Sequence, residues 1–179
     1  DRYHKIWQAV LLFYNNIWRV PAPVRIFSSF ASVFMLSIVA RKDRLINFST
    51  YSASLLMIDE IGYWDTDVIP EDWRLFFKAF FAREGRVMVE PIFLPINADA
   101  AEADGAMKTM VNQYEQIKRW AWGVSDTPYI IQKWLMVENM PFWEKTIRVL
   151  RALEDHFLWP VNWFAITIGT LISPIPWGS

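Results

Sequence analysis

The sequence predicts a helix-dominated α/β fold whose last part turns toward a membrane. Three observations lead there. Apolar residues recur at helical spacing through most of the chain, one short run alternates as a strand does, and an uncharged stretch near the end approaches membrane-spanning length.

Taken in order, Trp7, Val10, Leu11, Tyr14, Ile17 and Trp18 are spaced as on one helix face, and Pro21 and Pro23 break the pattern, so residues 3–18 are predicted as an amphipathic helix. From Ile26 to Ala40 no charge occurs; at 15 residues, with four Ser, the run is short for a membrane span and reads as a buried or interfacial helix. Leu45 to Leu56, rich in Ser, Thr and Tyr, reads as a loop feeding a short helix that ends near Gly62. Pro70 starts the next helix. Trp73, Phe76, Phe77, Phe80 and Phe81 line one face of it, and Gly85 stands where a C-terminal cap belongs. Arg86 to Glu90 alternates, which predicts a strand closed by Pro91, with Ile92 to Ile96 a possible continuation of the sheet. Asn97 to Gly105 is acidic and lacks periodicity, as a mobile surface loop would. A helix from about Ala106 to Trp122 follows, ended by Gly123. After Pro128, the narrow stripe of Ile130, Ile131, Trp134 and Leu135 suits a helix on a bilayer surface or a core helix. Phe142 to Trp159 repeats helically. Phe157 to Ile172 then holds no charge in 16 positions and is entered through Trp159 and Trp163, which predicts the start of a transmembrane region over 157–179. Residues 128–156 form the interfacial part and residues 1–127 the rest.

Composition narrows the function. Of 179 residues 54% are apolar, and the net charge of -1 spreads no field that would attract nucleic acid. Eleven Trp and 13 Phe suit membrane interfaces and sugar-binding faces alike. With no Cys and two distant His, a disulfide framework or thiolate metal site is excluded and zinc has no ligand set. No Gly-x-Ser-x-Gly elbow supports a hydrolase. The first residues carry no leader pattern, and the chain is expected to be part of a longer protein.

Two motifs can do chemistry. Glu71 and Asp72 stand in the first turn of their helix, where the macrodipole favours carboxylates; Asp72 there is either a helix-terminus acid or a general base toward a sugar hydroxyl. After 43 intervening residues, Gln116, Arg119 and Trp120 stand at i, i+3 and i+4 and share a helix face. A guanidinium can fork onto phosphate oxygens, an amide can bond phosphate or hydroxyl, and an indole can cover a pyranose ring. An interfacial Arg and Trp would need no ligand, so both explanations stand on the residues alone.

Pro70-Glu71-Asp72-Trp73, preceded by Ile58-Asp59-Glu60-Ile61-Gly62-Tyr63-Trp64-Asp65 and followed by Gln116-Ile117-Lys118-Arg119-Trp120-Ala121-Trp122-Gly123, resembles the C-terminal part of the catalytic domain in membrane-bound family 2 glycosyltransferases, the cellulose synthase-like and hyaluronan synthase-like enzymes. The resemblance is strongest from about Ser49 to Val124. It implies the later part of a GT-A type domain, followed by membrane helices, on the cytoplasmic side of the cell membrane. Asp72 would be the base of an inverting transfer, Gln116 and Arg119 would hold the donor diphosphate, Trp120 would sit against the acceptor, and Glu71 would orient the site. A nucleotide-sugar donor, a glycan or lipid-linked acceptor and the lipid bilayer would be its partners. A divalent cation, Mg or Mn, would be held mostly by residues outside this chain, which alone is expected to be inactive. Asp65-Thr66-Asp67 imitates a metal-binding Asp-x-Asp but lies where the family has a connecting loop, and reads as a turn. Ser49-Thr50-Tyr51-Ser52 lies where such enzymes bring the chain near the acceptor. The alternative is a non-catalytic membrane-associated interaction module.

Overall fold

A computed structural model describes residues 2–172, leaving aside the side chains of 159, 160 and 162–172. Helix predominates, with a small mixed sheet. Strand β1 (Lys5–Leu12) is central: β2 (Tyr51–Ala53) pairs with it antiparallel and β3 (Met88–Asn97) parallel. The predicted helix over 3–18 is therefore a short 3-10 turn and a strand. The reason is burial on both faces. Ile6 and Val10 point into one apolar cluster and Leu11 into another, and a strand covered on both sides has a near-continuous apolar run that contains helical spacings by accident. Residues Tyr51–Ala53, predicted as loop, form β2 because Ile6, Trp7 and Gln8 offer them an open ladder.

Pro91 does not close β3. The strand runs on through Pro95, which a sheet edge tolerates because the missing N–H is not needed there. Its register against β1 slips between Ala9 and Val10, which pair with Ile92 and Pro95, so Phe93 and Leu94 bulge outward.

Helix α1 (Ala22–Val39) packs on β1, and α2 (Leu55–Glu60) ends before Gly62 as expected. Among the described residues α1 is the one helix long and apolar enough to cross a membrane, judged by length and composition; only 28% of it is buried. Helix α3 (Glu71–Ala82) begins after Pro70 and buries Leu75, Phe76, Phe77 and Phe80 in the main core. Gly85, at φ 82°, closes it by donating its N–H to the Phe80 carbonyl at 2.9 Å.

The loop after β3 is pinned rather than mobile. Asn16 bonds the Ala100 carbonyl (3.0 Å) and N–H (2.7 Å), and Arg19 reaches Glu102 at 2.8 Å. Composition cannot reveal that anchorage because the partners lie over 80 residues away. Helix α4 (Ala106–Ala121) passes through a 3-10 turn (Trp122–Asp126) into α5 (Thr127–Met136), and α6 runs unbroken over Phe142–Ile172. Ile130 of α5 and Val149 and Ala152 of α6 join the main core, while Leu135, Met136 and Trp143 are exposed. The expected membrane segment over 157–179 lies almost wholly outside the described side chains; to Ile172 its backbone is helical.

Candidate functional site

The buried phenylalanine face of α3 fixes where its first turn ends, and hence where Asp72 stands. One carboxylate oxygen, Oδ2, accepts the Ser49 N–H at 2.7 Å, and the Asp72 carbonyl accepts from Asn47 Nδ2 at 3.0 Å. The loop that delivers these donors hangs from β1. Gln8, fully buried, accepts the Phe48 N–H at 2.8 Å and donates to the Thr50 carbonyl at 3.1 Å. Ser49 is thereby held at φ 49°, and Tyr63, on the other loop beside the helix start, sits at φ 60°. A non-glycine residue in this sparsely populated conformation shows that the backbone at Ser49 is constrained where it meets Asp72.

Burial pushes the Asp72 pKa up; the Ser49 N–H opposes that shift, neighbouring Glu71 adds to it, and the Tyr51 hydroxyl opposes it by hydrogen bonding. Tyr51 itself is pushed up to about 12, chiefly by burial, although the indole N–H of Trp64 donates to its hydroxyl at 2.7 Å and works the other way. Since Trp64 fills an acceptor position on Tyr51, the phenolic proton is free to point at Asp72. The result is a carboxylate more basic than usual, restrained at one oxygen, in a half-buried setting. Those are properties that a general base requires.

The second motif is placed differently. Trp120 is 36% exposed and its ring packs on Phe13 (6.3 Å) and Phe27 (6.1 Å). Gln116 accepts a hydrogen bond from Gln113 at 3.2 Å, and the crevice it shares with Phe27, Ser28 and Trp120 is filled by side chains. Arg119 is exposed, with its guanidinium unpaired among the described residues. No hydrogen bond, ion pair or ring contact among the described residues joins Asp72 or Glu71 to Gln116, Arg119 or Trp120. Arg74 of α3 ties that helix to the 3-10 turn after α4, its Nη2 meeting Oδ1 of the fully buried Asp126 at 2.6 Å.

Arg74 was not visible as a site residue in the sequence, because its partner lies 52 residues away. It also meets Asp65 at 3.3 Å and lies 4.0 Å over the Tyr129 ring. Lys78 takes the other Asp65 oxygen at 2.6 Å. Asp65 is thus neutralised twice, so Asp65-Thr66-Asp67 has no carboxylate to spare for a cation at Asp65. No group of three His, Cys, Asp or Glu among the described residues could hold a metal. Gln8 is the other residue that sequence reasoning missed; a lone amide inside a buried apolar run was its only signal.

No family model matches the chain, and no curated protein and no solved structure matches it.

Proposed function

We propose that this chain is the acceptor-side part of an inverting, GT-A type membrane glycosyltransferase, moving a sugar from a nucleotide-sugar donor to a glycan or lipid-linked acceptor at the cytoplasmic face of the cell membrane. The observation that carries the reading is the Asp72 carboxylate: raised in basicity, gripped by a strained backbone N–H and backed by Tyr51.

In this reading Asp72 accepts the proton of an acceptor hydroxyl as its oxygen attacks the anomeric carbon, and the bond from that carbon to the diphosphate oxygen breaks. The Arg119 guanidinium, unpaired among the described residues, takes the diphosphate with Gln116, and Trp120 offers its free edge to the acceptor. Glu71, exposed beside Asp72, raises its basicity. A divalent cation would supply charge neutralisation at the leaving diphosphate, held mostly by residues outside this chain.

Asp72→Asn in the full-length protein tests it. Transfer of sugar from the nucleotide donor should be abolished with nucleotide binding retained; persisting transfer removes Asp72 from the base role. One observation favours the rival, a non-catalytic membrane-associated module: Trp120 packs on Phe13 and Phe27 rather than standing open. Under the rival, Arg119→Ala and Trp120→Ala disturb membrane association and leave transfer unchanged.

A further inference from the structure

Helix α1 is built inside out. Between Val24 and Val39, buried at its two ends, its protein-facing side carries the small residues Ser28, Ala31 and Ser32, all buried, and Ser32 accepts the Phe13 N–H at 2.9 Å while donating to the Ser28 carbonyl at 2.8 Å. Its outward side carries Ile26, Phe30, Val33 and Phe34, spaced as one stripe, with Phe30 72% exposed. A helix packed on a protein in water shows the reverse arrangement. Small residues let α1 sit close to β1, and the large apolar ones are turned to whatever lies outside.

The surroundings say what that is. From Ile17 to Lys42 there is no acidic residue, and the charges are Arg19, Arg25, Arg41 and Lys42, at the two ends of the apolar stripe. Trp18, 81% exposed, stands just before the helix with the Arg25 guanidinium 5.0 Å over its ring. An apolar stripe between basic ends, with an indole at the edge, matches a bilayer: acyl chains for the stripe, anionic headgroups for the rim. The helix is apolar and long enough to cross a membrane. Crossing is ruled out by its other face, which is packed on β1 and tied through Ser32 to Phe13 just after that strand; a spanning α1 would carry an open sheet into hydrocarbon.

We propose that α1 lies in the plane of a bilayer containing anionic lipid, with Ile26, Phe30, Val33 and Phe34 in the acyl boundary and Trp18 and Arg25 among the headgroups. The docking surface then belongs to the same unit as Asp72, since α1 and the Ser49 loop both hang from β1. The inference does not depend on sugar transfer and stands or falls separately from it.

The chain has no cysteine, so a single label can be placed without background. Phe30→Cys carries an environment-sensitive nitrobenzoxadiazole dye, and Glu84→Cys, an exposed polar position, is the aqueous control. Each protein is reconstituted with phosphatidylcholine–phosphatidylglycerol vesicles and quenched either by nitroxide on the acyl chains or by aqueous iodide. The local label decides, because it reports on α1 whatever else in the chain meets the vesicle. Dye at position 30 should shift to the blue, be quenched by the acyl nitroxide and be shielded from iodide only when lipid is present, while the control stays open to iodide. Iodide access at position 30 in vesicles overturns the proposal. So does shielding in the absence of lipid that grows with protein concentration, which would mean that a second copy covers the face.

Discussion

Removing the Tyr51 hydroxyl should leave less of Asp72 ionised, and so less able to act as a base, at acidic pH. In Tyr51→Phe the Trp64 N–H loses its acceptor at 2.7 Å, and Asp72 loses a donor that opposes its raised pKa, keeping the Ser49 N–H at 2.7 Å. The carboxylate therefore holds its proton to higher pH. A hydrogen bond to a charged group contributes about 1.5–3 kcal/mol, and the half-buried setting of Asp72 argues for the lower end. Since ~1.4 kcal/mol is tenfold in rate, kcat/KM of the full-length enzyme should fall about tenfold on the acidic limb of its pH profile. At a pH where Asp72 is ionised in both proteins, the two rates should converge. The groups facing the carboxylate are Glu71 from its own helix and Tyr51 from β2, so no other titration should distort the limb. The assay is initial rates against pH, paired with the titration of the Asp72 carboxyl carbon by NMR in the labelled chain. An acidic limb that stays in place, or a uniform loss at every pH, refutes the assignment of Tyr51 to this carboxylate.

Arg74→Met should destabilise the chain by about 3–5 kcal/mol at neutral pH, because Asp126, fully buried, is left without its cation. Burial already raises the folded-state pKa of Asp126 above its unfolded value, so that loss should shrink as pH falls through the folded pKa; denaturant unfolding at two pH values measures it, and a flat pH response refutes it. Asp72→Asn should hold or raise the thermal midpoint at neutral pH, since a carboxylate with a raised folded pKa contributes stability at low pH and loses it as pH rises; a clear drop at pH 7 would show that the charge is stabilising. Gly85→Ala should destabilise by about 1–2 kcal/mol from its φ of 82°; the new Cβ would lie 2.8 Å from Glu144 Oε1, the end of an exposed side chain that can swing aside, so Gly62→Ala, at φ 77° in open space, should lose about as much, and a clearly larger loss at Gly85 would refute that freedom of Glu144.

Local signals carried much of the architecture. Helix α3, its start after Pro70 and its stop at Gly85 follow from residues within a few positions of one another, as do α4 and the short α2 before Gly62. Strand β1 could not be found that way, because only its burial between two clusters separates a central strand from an apolar helix of similar composition. For the candidate site the sequence nominates Asp72 and the trio Gln116, Arg119 and Trp120 by residue type and spacing, and only the structure shows that no contact among the described residues joins the trio to Asp72.

The sequence by itself determined that a carboxylate stands in the first turn of an aromatic-faced helix, and that an amide, a guanidinium and an indole share a later helix face. Periodicity and capping are local, and they suffice for that. Tertiary structure alone decided what those groups meet. It hung the Ser49 loop on Gln8 so that a backbone N–H grips Asp72, spent Asp65 on Arg74 and Lys78, packed Trp120 against Phe13 and Phe27, and turned the large residues of α1 outward. Each of these depends on partners brought together from well-separated parts of the chain, and no periodicity in a single segment encodes such a meeting.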